Sequence, residues 1–384
     1  MYRRKTAPLS RVTKQFSAFI ASLLSLRSIK VISRYSSSLR LIVVLSVGWM
    51  AGIVSLMRPP LCAAQATAPG PAPAGPQRPN VMPNVLPPGA TAPAVLPADD
   101  QIMGLMVDGV NRTVYLHTPP SYKPDKSAPL IILLHGMGGN AIGVYTYTRM
   151  GDKADQAGFI LACPEALGDD MPTWNVGLNT GMKDESDITF LTALLDKLEA
   201  KYNIDKTRVF MVGHSSGAMM AYRYAAEKSD RVAAVGVVAA TVGARHEDGT
   251  MTVLPAPTHP VSVIAFHGTK DPLMPYSMAD NWVYNNNFVP GNVSLQYWAR
   301  CDGCDLTPKR TISADRRVVE DDYTGGKDGS EAVLYTIIEG DHWWPGDKMD
   351  AAYIAPSDES ANATDLIWDF LSRHPRAKKA DAPK

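Results

Sequence analysis

Long apolar runs, separated by polar stretches, dominate the chain from about residue 100 onward. The runs are continuous, and the clearest are "PLIILL" (129–134), "GFILAC" (158–163), "RVFMV" (208–212), "VAAVGVV" (232–238), "VSVIAF" (261–266) and "AVLYTII" (332–338). Continuous runs of this length are typical of parallel strands that are covered on both faces. A shorter run, "TVYLHTPP" (113–120), predicts an early strand that ends by Pro119.

Helical patterns lie between these runs. In "DITFLTALLDKLEAKY" (187–202) leucines recur at helical spacing, and Ser186 or Asp187 is placed to cap the helix. Further helices are predicted after Ser216, around Met278 to Asn287, and in the amphipathic "ATDLIWDFLSRH" (363–374). Strands that alternate with helices predict an α/β fold, with a mostly parallel sheet and helices on both faces. Ligand chemistry in such sheets lies beyond the carboxyl ends of the strands.

The first 98 residues differ in composition from the rest. They contain eleven Lys or Arg residues and no acidic residue, and "LIVVLSVGWMAGIVSLM" (41–57) carries no charge. A basic flank, an apolar run and the small residues of "LCAA" predict a secretory signal. An uncleaved anchor through residues 41–57 and a cytoplasmic protein are the alternatives. Lipidation at Cys62 is disfavoured, because the bulky Leu61 precedes it.

The organisation of the chain follows from these shifts. Residues 66–97 are rich in Pro, Ala and Gly without periodicity, which predicts an extended spacer. We divide the chain into a basic segment with a signal peptide or anchor (1–64), a disordered linker (65–98), a folded catalytic domain (99–375) and a flexible tail (376–384). The expected location is secreted or periplasmic, with membrane contact only through an uncleaved N-terminal segment.

The net charge of zero hides an acidic domain. From Asp99 onward lie 27 of the 38 Lys and Arg residues and all 38 Asp and Glu residues. Nucleic-acid binding needs clustered positive charge. We therefore expect no nucleic-acid partner.

The pentapeptide "GHSSG" (213–217) matches G-x-S-x-G between a predicted strand and a predicted helix. In this pattern a sharp turn lifts the hydroxyl of the middle serine, here Ser215, clear of the sheet, and flanking glycines let the turn pack closely. An ordinary strand-to-helix turn with a capping serine is the bland alternative. The position between "VFMV" and "AMMAYRYAA" favours a nucleophile.

A nucleophilic serine needs a base, and the base needs an orienting acid. In this architecture the order is serine, acid, histidine. His342 follows the strand "AVLYTII" and is the predicted base. Asp271 follows the strand "VSVIAF" and is the predicted acid, with Asp280 and Asp341 as competitors.

Two backbone N–H groups are expected to bind the oxyanion that forms on the substrate. One belongs to Ser216, directly after the nucleophile, and the other to Met137 in "LLHGMGGN". Gly138 and Gly139 let this loop approach a substrate closely. A glycine-rich turn without a catalytic role is the alternative.

The cysteines suggest no metal site. Cys301 and Cys304 in "CDGC" can form a tight disulfide, half of a metal site or a redox pair, and the disulfide is favoured in an exported protein. A second such pair is missing from the sequence, so zinc is disfavoured. Cys163, in an apolar run, is expected to be a free core thiol. No cofactor is expected.

These segments in this order resemble the α/β-hydrolase superfamily, and more narrowly the secreted polyhydroxybutyrate depolymerase and feruloyl or acetylxylan esterase group. The resemblance covers roughly residues 101–375 and rests on "PLIILLHGMGGN", "VFMVGHSSGAMMAYRYA", "VIAFHGTKDPLMPY", "GDHWWPG" and "ATDLIWDFLSRH". Asp341 stands where that group commonly has glycine, and Cys301 is an additional cysteine. The resemblance implies a serine esterase that acts on a small or oligomeric ester.

Aromatic residues near the predicted site are candidates for binding that ester. Trp174, Trp343 and Trp344 are expected to line or frame the cleft, although each is as well explained as a core residue. Two rival functions remain open. One is a serine peptidase of the same fold, and the other is a non-catalytic binding protein of the cell envelope.

Overall fold

The computed structural model describes residues 100–168, 170–178, 186–246, 248–277, 287–346 and 361–377. The predicted N-terminal segment and linker lie outside these residues, as do most of the tail and all but the last residue of the candidate helix at 278–287. Within the described residues, no helix is long and apolar enough to cross a membrane.

A strand lies in every apolar run quoted above. In chain order they are β1 (Asp100–Val107), β2 (Val110–His117), β3 (Ala128–Leu134), β4 (Ile160–Pro164), β5 (Ile204–His214), β6 (Ala234–Val238), β7 (Gly243–Arg245), β8 (Met251–Val253), β9 (Ser262–Gly268), β10 (Lys309–Ile312), β11 (Val318–Tyr323) and β12 (Ala332–Ile337). Every predicted strand is therefore confirmed, since each continuous apolar run contains one.

One large sheet organises the described residues. Its strands are ordered β1-β2-β4-β3-β5-β6-β9-β12-β11-β10. The six strands from β4 to β12 in this order run parallel to one another. The pairs β1-β2 and β11-β10 extend the sheet antiparallel at its two ends. A separate two-stranded hairpin pairs β7 with β8.

Helices cover both faces of this sheet. They are α1 (Ala141–Thr148), α2 (Met150–Ala157), α3 (Ser186–Lys201), α4 (Ser216–Glu227), α5 (Gly291–Asp302) and α6 (Ala363–Arg373). Because side chains alternate along a strand, Leu130 and Ile132 of β3 join one core with residues of α3, α4 and α5. Ile131 and Leu133 join a second core with residues of α1, α2 and α6. The predicted α/β fold with helices on both faces is confirmed.

The start of α3 makes a long-range contact that the sequence does not predict. The carboxylate of Asp187, in the first turn, is buried in an ion pair. Its Oδ1 lies 2.7 Å from a guanidinium nitrogen of Arg112 on β2, and its Oδ2 accepts the N–H of Asn175 at 2.7 Å. This acid therefore fastens α3 and the loop at residue 175 to the sheet.

Candidate active site

The turn between β5 and α4 has the strained geometry that a nucleophile elbow requires. Ser215 has φ 54° and ψ −122°, which is outside the regions that non-glycine residues favour. Its N–H donates to the carbonyl of Val238 at the end of β6, at 2.9 Å. The first turn of α4 begins directly after it. The sheet therefore holds the serine in a conformation that would be costly in an isolated peptide.

Two glycines make this turn sterically feasible. A Cβ at Gly217 would lie closer than 3.0 Å to the carbonyls of Leu134 and His135, at the end of β3. A Cβ at Gly213 would meet the backbone of Gly217 itself at a similarly forbidden distance. The first turn of α4 thus packs directly against the backbone that leads into the predicted oxyanion loop.

The structure brings the three predicted catalytic side chains together. Nε2 of His342 lies 2.9 Å from Oγ of Ser215, and Nδ1 of His342 lies 2.8 Å from Oδ2 of Asp271. These residues follow the carboxyl ends of β5, β9 and β12, which are parallel and therefore end at one edge of the sheet. All three are buried, and His342 is 1% exposed.

The environment of Asp271 keeps its carboxylate ionised. Burial acts to raise its pKa, but His342 and His267 nearby, together with hydrogen bonds, outweigh burial and lower the pKa to about 2. Its Oδ1 accepts the N–H groups of Leu273 and Met274, both at 2.9 Å. Oδ2 is thereby left facing His342, as the orienting acid must be.

The competing acids are not placed for this role. Oδ1 of Asp341 accepts the backbone N–H of His342 at 2.7 Å, so this carboxylate organises the loop and does not face the ring N–H. Asp280 lies outside the described residues. His267 lies 3.5 Å from Oδ2 of Asp271 and donates from Nε2 to the carbonyl of Met274 at 3.1 Å, which fits a framework role.

The predicted oxyanion loop is held by its own hydrogen bonds. Gly138 has φ +73° and donates its N–H to the carbonyl of Pro172 at 2.8 Å. The N–H of Gly139 donates to the carbonyl of Gly136 at 3.0 Å. This loop follows β3, next to the elbow, so the predicted donors Met137 and Ser216 belong to adjacent segments. Their role as oxyanion donors stays a prediction.

Trp174 corrects one expectation. Its side chain is fully buried, and its Nε1–H donates to the carbonyl of His135 at 2.8 Å, so its ring is not available to stack on a substrate. His135 itself donates from Nδ1 to the carbonyl of Gly136 and accepts the N–H of Ala166 at Nε2. Burial lowers the pKa of His135 to about 4, so the ring stays neutral in this arrangement. The sequence alone does not reveal that Trp174 supports the loop through His135, because a tryptophan near the site is equally well explained as a substrate contact.

The other two tryptophans follow His342. Both are half-buried, and Nε1 of Trp344 donates to Oγ1 of Thr364 at 3.0 Å, which ties the histidine loop to the start of α6. Contacts of Trp343 and Trp344 with a substrate stay a prediction. Two exposed methionines lie at the oxyanion loop: Met137, within it, is 37% exposed, and Met171, beside Gly138, is 44% exposed.

The predicted disulfide is wrong. Cys301 and Cys304 are both free thiols, and only Cys304 is buried. Cys301 lies in the last turn of α5, and Gly303 then takes the left-handed conformation at φ 78°, so the chain leaves the helix between the two cysteines. Sγ of Cys304 lies 3.8 Å from the carbonyl of Ser330. Cys163 is a buried free thiol, and burial raises its pKa.

Among the residues that the structure describes, no group of three or more His, Cys, Asp or Glu side chains is placed to hold a metal ion. The buried side chains of Ser215, His342 and Asp271 instead pair with one another. The arrangement can activate a hydroxyl, which is the chemistry that Ser215, His342 and Asp271 share.

Comparison with known proteins shows similarity to esterases. A family model described as "Phospholipase/Carboxylesterase" matches residues 121–287, a segment that includes Ser215 and Asp271. "Putative esterase NocK" of Nocardia uniformis subsp. tsuyamanensis is 27% identical over 292 residues, which cover 70% of this chain and 81% of that protein.

Feruloyl esterases are also similar to this chain. Feruloyl esterase C of Emericella nidulans is 28% identical over 249 residues, covering 62% of this chain and 86% of that protein. Feruloyl esterase B of Piromyces equi is 26% identical over 235 residues, covering 60% of this chain but only 42% of that protein. The sheet order, the strained elbow at Ser215 and these matches lead to one conclusion: the chain has the α/β-hydrolase fold and is similar to esterases of that fold.

Proposed function

We propose that this esterase cleaves carboxylic esters through a covalent acyl-enzyme on Ser215. The observation that carries the proposal is the continuous hydrogen-bonded chain from Ser215 through His342 to Asp271, with heavy-atom distances of 2.9 and 2.8 Å. Both distances are within the range in which a proton can be transferred or held in a catalytic site.

The reaction follows from this chain. Oγ of Ser215 attacks the ester carbonyl while Nε2 of His342 takes the serine proton, so that a C–O bond forms as the carbonyl π bond opens. Asp271 holds Nδ1–H of the ring, which fixes the tautomer with Nε2 free to accept and stabilises the imidazolium that results. His342 then gives its proton to the departing alkoxide, and the alcohol leaves.

Water completes the cycle. His342 takes a proton from water, the resulting hydroxide attacks the acyl carbonyl, and the acid departs as Oγ of Ser215 is reprotonated. In each half-reaction negative charge forms on the carbonyl oxygen. The backbone N–H groups of Met137 and Ser216 are proposed to bind it, since fixed donors at this point contribute strongly to rate.

The substrate class is proposed as feruloyl or acetylated-xylan esters, or short hydroxyalkanoate oligomers. The feruloyl esterase names of similar proteins support the first group. The exposed side chains of Met137 and Met171 beside the oxyanion loop support an apolar acyl group, because thioether side chains adapt to such surfaces. The basic and apolar N-terminal segment supports export of the enzyme to the periplasm or medium.

Two rival functions differ in what they predict. A serine peptidase of the same fold would cleave peptide amides faster than matched esters. A non-catalytic envelope binding protein would leave Ser215 unreactive. The hydrogen bond of Ser215 to His342 favours catalysis over the binding protein, because it prepares the hydroxyl for attack.

The test is a competition assay with the full-length protein. Methyl ferulate, an acetylated xylo-oligosaccharide and a soluble 3-hydroxybutyrate oligomer are offered together, and Ser215→Ala serves as the blank. We expect release of acid from at least one of them and labelling of Ser215 by a fluorophosphonate. Equal product from Ser215→Ala, or an unlabelled Ser215 in folded protein, would overturn the proposed mechanism.

A further inference from the structure

A second histidine contacts the loop that carries the catalytic base. His214 directly precedes Ser215 and is 1% exposed. Its Nε2 lies 2.7 Å from the backbone carbonyl oxygen of His342. Its Nδ1 lies 3.0 Å from the hydroxyl of Tyr147, near the end of α1. None of the reaction steps above uses either side chain.

The partners fix which atom donates. A carbonyl oxygen can only accept, so Nε2 of His214 carries the hydrogen and donates it to His342. Nδ1 then has a lone pair, and the hydroxyl of Tyr147 donates to it. The relay therefore runs in one direction, from the tyrosine hydroxyl through the imidazole to the backbone of the base.

The charge state of the relay is stable. Burial, and then the nearby His342, lower the pKa of His214 to about 3, although the His342 carbonyl and Asp271 act in the opposite direction. Burial also raises the pKa of Tyr147 well above its usual value. Both groups are consequently neutral at working pH. The neutral state matters because the rings of His214 and His342 are centred 5.3 Å apart, where two cations would repel.

The relay closes a ring of contacts around the reacting atoms. The side chain of His342 reaches Ser215 at 2.9 Å, and the backbone of His342 is held by His214 at 2.7 Å. Since His214 and Ser215 are covalent neighbours, nucleophile and base are joined at two points. We propose that His214, oriented by Tyr147, is a positioning residue that fixes the general base relative to the nucleophile.

This inference rests on the proposed function, because it assigns a role within that reaction. The expected loss of rate on removing His214 follows from geometry. A displacement of about 1 Å in a catalytic group can cost about 100-fold in rate. The substrate does not touch the buried His214, so its binding should be nearly unchanged. A loss in kcat with little change in KM is therefore the expected signature.

The experiment compares replacements of His214 in the full-length protein, with a 4-nitrophenyl ester as the probe. His214→Leu removes both hydrogen bonds, and we expect kcat to fall about 10- to 100-fold with KM within about threefold. His214→Gln keeps an N–H for the His342 carbonyl and an oxygen for Tyr147. We expect it to recover at least about tenfold of the loss if positioning is the role.

A double-mutant cycle tests whether Tyr147 acts through His214. Tyr147→Phe should lower kcat about three- to tenfold in the wild-type background, and should have almost no effect in the His214→Leu background. Tyr224→Phe is the matched control, because it also removes one hydroxyl hydrogen bond, a 3.2 Å contact with Thr192 far from the site. Thermal melts report whether each variant is folded. If His214→Leu does not fold, the loss of kcat in Tyr147→Phe alone still tests the inference.

The outcomes separate the inference from the proposed function. A wild-type protein that neither cleaves esters nor labels at Ser215 overturns both. An active wild type with unchanged kcat in folded His214→Leu overturns the inference alone. Equal losses in His214→Leu and His214→Gln, or additive effects of the Tyr147 and His214 replacements, also overturn it, because a positioning relay predicts rescue and coupling.

Discussion

Asp271 uses its two oxygens for different purposes. Oδ1 accepts two N–H groups of its own loop, and Oδ2 accepts the ring N–H of His342. The loop bonds hold the carboxylate in place whether or not His342 is protonated. The acid therefore arrives at the base already oriented, and its charge persists because its pKa is lowered to about 2.

Replacement of this acid by its amide should be severe. Asp271→Asn places an N–H₂ or a weaker acceptor opposite Nδ1, which favours the wrong tautomer of His342. We expect kcat to fall about 10³- to 10⁴-fold. Ester hydrolysis by the purified variant measures the loss. Asp341→Asn is the control, because its amide oxygen can still accept the N–H of His342, and activity within about threefold of wild type is expected. If the control loses as much as Asp271→Asn, the acid is misassigned.

At the residue scale, the sequence predicts the acid and the base, because the required residue types occur in the required order along the chain. Only a few histidines and aspartates follow Ser215 at strand ends, and the order serine, acid, histidine selected Asp271 and His342 from them. Burial of a particular ring is different, because it depends on which loops meet in space. That is why the sequence leaves Trp174 open between a substrate contact and a core residue, and why it does not predict the contact of Tyr147 with His214.

Among the elements, the oxyanion loop depends on a neighbour that lies far along the chain. The indole of Trp174 donates to the carbonyl of His135, 39 residues away, just before the loop begins. The loop's position is therefore set from outside the loop. The segment around Trp174 acts as a brace for the predicted oxyanion donors.

Trp174→Phe tests this brace. The phenyl ring keeps most of the packing but leaves the His135 carbonyl without its donor. We expect kcat to fall about three- to tenfold for every ester tested, with the preference between esters unchanged, because the brace does not touch substrate. Steady-state kinetics with methyl ferulate and an acetate ester measure both quantities. Trp343→Ala is the comparison, and a change of preference confined to Trp174→Phe would restore the indole as a substrate contact.

The contact of α4 with β3 leads to a second prediction at this scale. Gly217→Ala places a Cβ against the carbonyl oxygen of Leu134, so the helix must move away from the sheet. We expect a loss of more than about 3 kcal/mol in the free energy of unfolding, or insoluble protein. Gly104→Ala on β1 is the control, because the nearest atom there is the mobile end of Asn111 at 3.1 Å. Urea unfolding compares the two, and a stable, active Gly217→Ala would show that the contact is looser than described.

Strands were predictable in proportion to their apolar content. All six long apolar runs contain strands, because a strand that is covered on both faces has a nearly continuous apolar sequence. The edge strand β10 is exposed throughout, and β11 reads "VVEDDY", so neither has a run to recognise. Helices α1, α2 and α5 are also absent from the sequence predictions. Both α1 and α2 are only eight residues long, and α1 has apolar residues around its whole circumference.

The molecule as a whole carries a buried acid whose charge depends on folding. Asp302, at the end of α5, is 1% exposed, and its Oδ2 has no hydrogen-bond partner within the described parts of the chain. Burial raises its pKa to about 7, although the N–H of Val261, Lys327 and Ser330 act to lower it. The folded protein therefore binds this proton more tightly than the unfolded chain, in which an aspartate has a pKa of about 3.9.

The sign of the pH dependence follows. Between pH about 4 and about 7 the unfolded chain has lost the Asp302 proton and the folded protein has not, so raising the pH lowers stability, by at most about 1.4 kcal/mol per pH unit. Above pH about 7 the loss levels off. We expect Asp302→Asn to flatten this decline by about 1–3 kcal/mol between pH 5 and pH 8, measured by urea unfolding. The exposed Asp305→Asn should follow the wild type, and parallel curves for wild type and Asp302→Asn would refute the assignment.

Assembly of the site has a consequence for the order of events in folding. Ser215 and His342 are 127 residues apart, and Asp271 and His342 are 71 apart, yet all three meet at one edge of the sheet. Strands β6 and β9 lie between β5 and β12 in the sheet, so both must be paired for β12 to hold His342 beside Ser215. Contacts so distant in sequence form slowly, because chain closure precedes the gain from pairing. Catalytic turnover should therefore return later than helical signal after dilution from denaturant, so ester cleavage reports when the pairing from β5 to β12 is complete.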